Sequence, residues 1–90
     1  MSRVVVVTGA ASGIGRATVE LLVSRGESVV ALDRSNDVHS LASGAVRTLV
    51  GDVTDEHVNN DVVAVAEREF GGLDAVVLNA GVPASGDIVE

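Results

Sequence analysis

The stretch Val4 to Gly15, Val-Val-Val-Val-Thr-Gly-Ala-Ala-Ser-Gly-Ile-Gly, constrains the fold of this chain more than any other. Four consecutive valines are stiff at χ1 and suit a strand buried on both faces, which is how a central parallel strand reads. The run stops at Gly9, and Gly13 and Gly15 follow as a helical pattern begins. Such a strand-turn-helix aims the free N–H groups and positive dipole end of the helix at whatever lies over the glycines. A pyrophosphate is the natural guest. On this reading Gly9 makes the tight turn, Gly13 lets phosphate oxygens reach the backbone, and Gly15 lets the helix pack closely on the sheet. A purely structural βα turn stays open as the alternative, because the spacing is not G-x-G-x-x-G. A triphosphate P-loop is excluded, since G-x-x-x-x-G-K-[ST] needs a Lys and every basic residue of the chain is Arg.

The rest of the chain repeats the same theme. After the first strand, Arg3 to Thr8, a helix is predicted from Gly13, with Ile14, Ala17, Thr18, Leu21 and Leu22 at helical spacing, Arg16, Glu20 and Ser24 on the other side, and Gly26 closing it. Ser28 to Leu32 is a second apolar strand ending at Asp33. Arg34 to Ala45 reads as a loop with room for a short helix. Val46 to Val50 is a third strand, ended by Gly51 and Asp52. Thr54 can cap a second helix with Asp55 and Glu56 in its first turn and an apolar stripe of Val58, Val62, Val65, Ala66 and Phe70, stopped by Gly71-Gly72. Ala75 to Leu78 is a fourth strand, stopping at Asn79-Ala80-Gly81; Val82 to Glu90 reads as loop, with Asp87 to Glu90 entering a helix. This β-α-β-(α)-β-α-β alternation predicts an α/β fold: one parallel sheet with helices on both faces, residues 1–90 forming part of a single domain without a linker. Ligands of such sheets bind at the C-terminal strand ends, and all the polar and glycine signals converge there.

Each strand end has a chemical reading. Asp33 follows Gly15 by 18 residues, close to the spacing at which a dinucleotide fold places an acid on the ribose hydroxyls. A carboxylate there accepts from the 2′-OH and repels a 2′-phosphate, which favours NAD over NADP. Arg34 pulls the other way, because a guanidinium can pair with a 2′-phosphate, and Ser12 supplies no second cation. Asp52 and Val53 fall within reach of an adenine edge, or form an ordinary turn. Asn79 can tie neighbouring strands through its amide, while Gly81 permits close approach of a ligand. His39 and His57 read as solvated residues, and the Asp55-Glu56-His57 cluster suits a helix start better than a metal cage.

Composition closes other routes. Six Arg against thirteen acidic residues, a net charge of -7, argue against nucleic acid and anionic membrane surfaces as partners, and a single Phe without Trp or Tyr leaves no stacking platform. No segment has the ~18 apolar residues of a membrane span, and the N-terminus lacks the charged region and apolar core of a signal peptide, so the expected location is cytoplasmic. With no Cys there are no disulfides or thiolate metal sites, and no G-x-S-x-G elbow offers a hydrolytic nucleophile.

Thr8-Gly9-Ala10-Ala11-Ser12-Gly13-Ile14-Gly15, then Asp33, Asp52-Val53 and Asn79-Ala80-Gly81, resemble the N-terminal half of a short-chain dehydrogenase/reductase across essentially the whole chain. The resemblance implies a Rossmann-type sheet ordered 3-2-1-4 and an NAD(P)-dependent oxidoreductase acting on a small alcohol or carbonyl, homo-oligomeric in its full-length form. It also implies roles: Ser12 to Ile14 at the pyrophosphate, Asp33 at the adenosine ribose, Asp52 and Val53 at the adenine, and Asn79, Ala80 and Gly81 beside the nicotinamide ribose. The family's catalytic Ser and Tyr-x-x-x-Lys pair are not in this sequence, which contains neither Tyr nor Lys. The chain is therefore expected to be a truncated, cofactor-binding half without catalytic residues, with an apolar fourth strand left as an exposed edge through which the chain self-associates. A non-catalytic NAD-binding or assembly module is the rival reading; a flavin or nucleotide-sugar enzyme fits the Thr8 to Gly15 spacing less well.

Overall fold

A computed structural model describes residues 3–79. Its elements run β1 (Val4–Thr8), α1 (Gly13–Ser24), β2 (Ser28–Asp33), a 3-10 helix (Asn36–Leu41), β3 (Val46–Val50), α2 (Glu56–Phe70) and β4 (Ala75–Val77). The expected loop at Val82 to Glu90 with its helix entry from Asp87, and the residues Ala80 and Gly81, lie outside the described residues.

The four strands form one parallel sheet in the order β3-β2-β1-β4, as the Rossmann-type reading requires. β1 is central, pairing Val4 with Ser28 through Thr8 with Leu32 on one side and Val5 to Val7 with Ala75 to Val77 on the other. All five β1 residues are buried, which explains why its sequence shows no polar alternation. The sheet divides the core in two. On one face Val5, Val7, Val29, Ala31 and Val46 pack with Val19, Leu22 and Val23 of α1 and Val38 of the 3-10 helix; on the other Val4, Val6, Val30 and Leu32 pack with Val62, Ala66 and flanking residues of α2. Helices thus cover both faces.

The element boundaries carry their own logic. α1 ends in a Schellman motif: Gly26, at φ +83°, donates its N–H to Val23 O at 2.9 Å, and Glu27 donates to Leu22 O at 3.0 Å. β1 begins one residue later than expected, because Arg3 turns outward into an ion pair with Glu27 at 3.1 Å. The strand is anchored instead by Asp74, whose Oδ2 accepts from Val4 N–H at 2.7 Å. The cap of α2 is Asp55 rather than Thr54: the Asp55 side chain accepts from His57 N–H at 2.8 Å, while the Thr54 hydroxyl donates to Asp52. The stripe foreseen on α2 is the one that packs.

The face of α1 differs from expectation. Gly15, Val19, Leu22 and Val23 face the sheet, whereas Ile14 is 73% and Leu21 51% exposed and Ala17 is also on the surface. Gly15 explains the rotation. A Cβ there would overlap the Gly9 carbonyl oxygen and lie 2.8 Å from Asn79 Nδ2, so α1 approaches the turn along the one side that carries no side chain. Arg16, on one flank of α1, donates to Ser40 of the 3-10 helix at 2.9 Å. The opposite flank, with Ile14 and Leu21, faces away from that helix. β4, with one strand neighbour among the described residues, leaves Val76 50% and Leu78 73% exposed.

Candidate functional site

The turn after β1 is built from hydrogen bonds that the glycines make room for. Gly9 takes a positive φ of +63°, and its carbonyl oxygen accepts from Ser12 N–H at 3.1 Å and from the Ser12 hydroxyl at 2.7 Å. Ser12 caps α1 in turn, its Oγ accepting from Gly15 N–H at 3.1 Å. The Gly13 and Ile14 N–H groups at the start of α1 have no partner among the described residues. A Cβ built at Gly13 meets nothing within 4 Å. Open space, two unpaired donors and the positive end of a twelve-residue helix therefore coincide.

β2 closes the next wall. Ala10 N–H donates to Leu32 O at 3.0 Å, continuing the β1–β2 ladder into the turn, and Ala11 N–H donates to Asp33 Oδ2 at 2.9 Å. Asp33 Oδ1 accepts from Ser35 N–H at 2.9 Å. Each carboxylate oxygen keeps one acceptor position, so Asp33 is held rigidly yet can still receive hydroxyls. Arg34, exposed beside it, places Nε 3.9 Å from Asp52 Oδ2. Asp52, at the end of β3, accepts from both the N–H and the hydroxyl of Thr54 at 2.9 and 2.8 Å. Those two bonds, helped by the Arg34 charge, hold its carboxyl below the ordinary Asp range. Gly51 leaves room for Val58 of α2, whose Cγ2 would stand 2.7 Å from a Cβ at that position.

Together these strand ends enclose a cleft of about 490 Å³, walled by Thr8, Gly9, Ala11 and Ser12 of the turn, Leu32 to Ser35 at the end of β2, and Gly51 to Thr54 after β3. Gly9, Ser12, Asp33, Arg34, Asp52 and Val53, all singled out from the sequence, line it. Gly13 and Ile14 stand at the head of α1 beside it, and Gly15 is buried beneath the turn. Asn79 acts from below: its N–H donates to Thr8 Oγ1 at 2.9 Å, and its Nδ2 donates to Gly9 O at 3.3 Å and Ser12 Oγ at 3.1 Å. It thereby ties the end of β4 to the turn.

Of the lining residues to which the sequence reading gave no ligand role, Thr8 and Asp37 matter most. Thr8 looked like one more β-branched strand residue, yet its buried hydroxyl holds Asn79. Asp37, on the 3-10 helix, also lines the cleft. The signal for it was a second acid four residues past Asp33, hidden in a polar segment. Among the described residues no group of three or more His, Cys, Asp or Glu is placed to hold a metal, and no helix is long and apolar enough to cross a membrane. His39 pairs with Thr48 Oγ1 at 2.8 Å on the surface, away from the cleft walls.

Comparison with known proteins places this geometry. The short chain dehydrogenase family profile matches residues 3–90. An uncharacterized oxidoreductase of Staphylococcus aureus (strain N315) is 37% identical over 98% of this chain and 40% of its own length. The cis-4-hydroxycyclohexanecarboxylate dehydrogenase of Sinomonas cyclohexanicum is 45% identical over 89% of this chain and 34% of its own length. Among solved structures, a short chain dehydrogenase/reductase from Saccharomyces cerevisiae superposes with a TM-score of 0.84 at 31% identity, covering 92% of this chain and 35% of that one. A 3-ketoacyl-(acyl-carrier-protein) reductase from Brucella melitensis complexed with NADH gives 0.77 at 27% identity, covering 82% and 32%. The chain spans well under half the length of the proteins it matches. With a parallel 3-2-1-4 sheet, a glycine turn at the head of α1 and a family match over nearly its whole length, the chain belongs to the short chain dehydrogenase family.

Proposed function

We propose that residues 1–90 are the N-terminal, cofactor-holding part of one dinucleotide-binding domain, belonging to an NAD-dependent oxidoreductase that moves hydride between nicotinamide and a small alcohol or carbonyl. The observation that carries this reading is the head of α1: unpaired Gly13 and Ile14 N–H groups beside open space, with the Asp33 carboxylate fixed across the cleft. The residues present fit a dinucleotide. The Gly13 and Ile14 amides would hold the pyrophosphate, Asp33 the adenosine ribose, and Asp52 and Val53 the adenine edge; Asn79 would keep the turn in shape, and Ala80 and Gly81 would continue toward the nicotinamide ribose. When bound, the nicotinamide ring supplies the hydride chemistry. Ser12 acts differently from a phosphate ligand, because its hydroxyl already donates to Gly9 O and accepts from Gly15 N–H and Asn79 Nδ2.

NAD is favoured over NADP because Asp33 accepts a 2′-OH but repels a 2′-phosphate, while Arg34 sits within ion-pair range of Asp52. Calorimetric titration of the chain with NAD+, NADP+ and ADP-ribose tests the reading. Binding of NAD+ and ADP-ribose with weaker NADP+ is expected; tighter NADP+ overturns the Asp33 argument, and no binding of any of the three overturns the site. With no Tyr or Lys, this chain supplies no Tyr-x-x-x-Lys pair, so it is proposed to bind without turning over. Cytoplasmic location and self-association complete the proposal. The exposed Val76, Leu78, Ile14 and Leu21 provide the apolar surface for the latter, and a strictly monomeric chain by light scattering at high concentration would rule it out.

A further inference from the structure

We infer that Asp37 is a second selectivity residue of the cleft, acting with Asp33 against a 2′-phosphate. The inference rests on the dinucleotide reading above and adds a residue to it.

Asp37 is placed by a relay of hydrogen bonds rather than by a loose loop. Ser35 N–H donates to Asp33 Oδ1 at 2.9 Å, and Ser35 Oγ accepts from Asp37 N–H at 3.1 Å, so the backbone of residue 37 is referenced to the Asp33 carboxylate through one intervening residue. Ser40 Oγ then donates to Asp37 O at 2.9 Å, and the neighbouring Val38 is fully buried in the core beneath. The 3-10 helix is thereby pinned on the cleft wall with Asp37 among the lining residues.

The three carboxylates of the cleft are not equivalent. Asp33 accepts two backbone N–H groups, and Asp52 accepts both Thr54 donors and lies near Arg34. The Asp37 carboxylate has no hydrogen-bond or ion-pair partner among the described residues. Counting Arg34, the lining groups carry three negative charges against one positive. A cofactor that adds a dianionic phosphate on the ribose must bring it into this field. A cofactor with a bare 2′-hydroxyl need not.

The test is calorimetric titration of wild type and Asp37→Asn with NAD+ and NADP+, with circular dichroism confirming the fold and Asp37→Ser as a second variant. For a unit charge several ångströms away in a partly hydrated cleft, removing Asp37 should tighten NADP+ about three- to tenfold, leave NAD+ within about twofold, and lose its effect as salt screens the field. Glu67→Gln, which removes the same charge from the exposed face of α2, should leave the ratio unchanged. If NAD+ binds wild type and NADP+ binds both Asp37 variants no better than wild type, the inference is overturned while the dinucleotide site stands. An equal response to Glu67→Gln overturns it too, by showing that net charge alone is at work. If neither NAD+ nor ADP-ribose binds wild type, the site itself fails and the inference with it.

Discussion

Replacing Gly15 by Ala should destabilise the fold, whereas Gly13→Ala should not, although the two glycines are two residues apart in the same helical turn. Propensity alone predicts a gain at both positions, since Gly is about 1 kcal/mol worse than Ala inside a helix. At Gly15 the added methyl collides with the Gly9 carbonyl oxygen and with Asn79 Nδ2, 2.8 Å away. Neither can retreat cheaply. The Gly9 oxygen accepts from Ser12 N–H, the Ser12 hydroxyl and Asn79 Nδ2 at 3.1, 2.7 and 3.3 Å, so moving it loosens three bonds. Overpacking of this kind typically costs about 1–3 kcal/mol, and each weakened bond about 0.5–1.5 kcal/mol more, which outweighs the propensity gain. A net loss of at least about 1–3 kcal/mol is expected, with the melting temperature falling by about 4–8 °C per kcal/mol in a domain this small. At Gly13 the methyl meets nothing within 4 Å, so the melting temperature should hold or rise. The same methyl would fill the space proposed for the pyrophosphate, and NAD+ binding should weaken at least about tenfold, more than 1.4 kcal/mol. Thermal melts followed by far-UV circular dichroism suit a chain with no Trp or Tyr, and calorimetry reads the binding. Gly15→Ala melting at or above the wild-type temperature would refute the packing argument. Gly13→Ala binding NAD+ undiminished would refute the role assigned to the open face.

Asn79→Ala removes both amide bonds to the turn while keeping the backbone bond to Thr8, so the urea midpoint should fall by the equivalent of about 1–2 kcal/mol; an unchanged midpoint would show that the tie between β4 and the turn contributes nothing. The Arg3 hydrogen bond holds the Glu27 carboxyl below its ordinary value of 4.5, and Arg47 and Arg68 do the same for Glu69. Because the folded-state values are the lower ones, the unfolded chain binds more protons in this window. The contribution is therefore present above the ordinary value and lost as pH falls through the folded one. Melting temperatures should drop as the pH falls below the ordinary value of 4.5, and less steeply in Glu27→Gln. Equal slopes for the two proteins would remove Glu27 from the account.

The strands were legible because each is a short β-branched run cut off by Gly, Asp or Asn, and burial on both faces of a parallel sheet leaves no alternation to confuse the reading. α2 was legible for a related reason: it has a single apolar stripe, and Val58, Val62, Val65, Ala66 and Phe70 had only one face to occupy. α1 offers two. Helical spacing selects Ile14, Ala17, Thr18, Leu21 and Leu22, of which Leu22 does pack on the sheet, but the helix is centred on the face with Gly15, Val19, Leu22 and Val23. A glycine adds nothing to an apolar count, yet here it lets α1 pack directly against the Gly9 carbonyl. Similarly, Thr54 and Asp55 are both good caps, and adjacency alone does not reveal that Asp52 engages the Thr54 hydroxyl.

The site was legible to the extent that it is made of strand ends. Parallel strands point their C-terminal ends to one edge, so a polar residue that terminates a strand is placed in space by topology alone, and Asp33, Asp52 and Asn79 could be assigned together from a linear reading. Asp37 has no such address. It sits in a segment where Ser, Asn and Asp are interchangeable to the eye, and its position depends on Val38 being buried and on Ser35 bridging to Asp33. The same distinction separates Ser12 from its glycine neighbours. Its place in the turn is plain from the sequence, but the three hydrogen bonds that occupy its hydroxyl depend on Gly9, Gly15 and Asn79 arriving together from two strands and a helix. On the proposed dinucleotide reading, a phosphate at this turn is therefore met by backbone N–H groups, and substitutions at Ser12 are expected to act on cofactor binding through the shape of the turn.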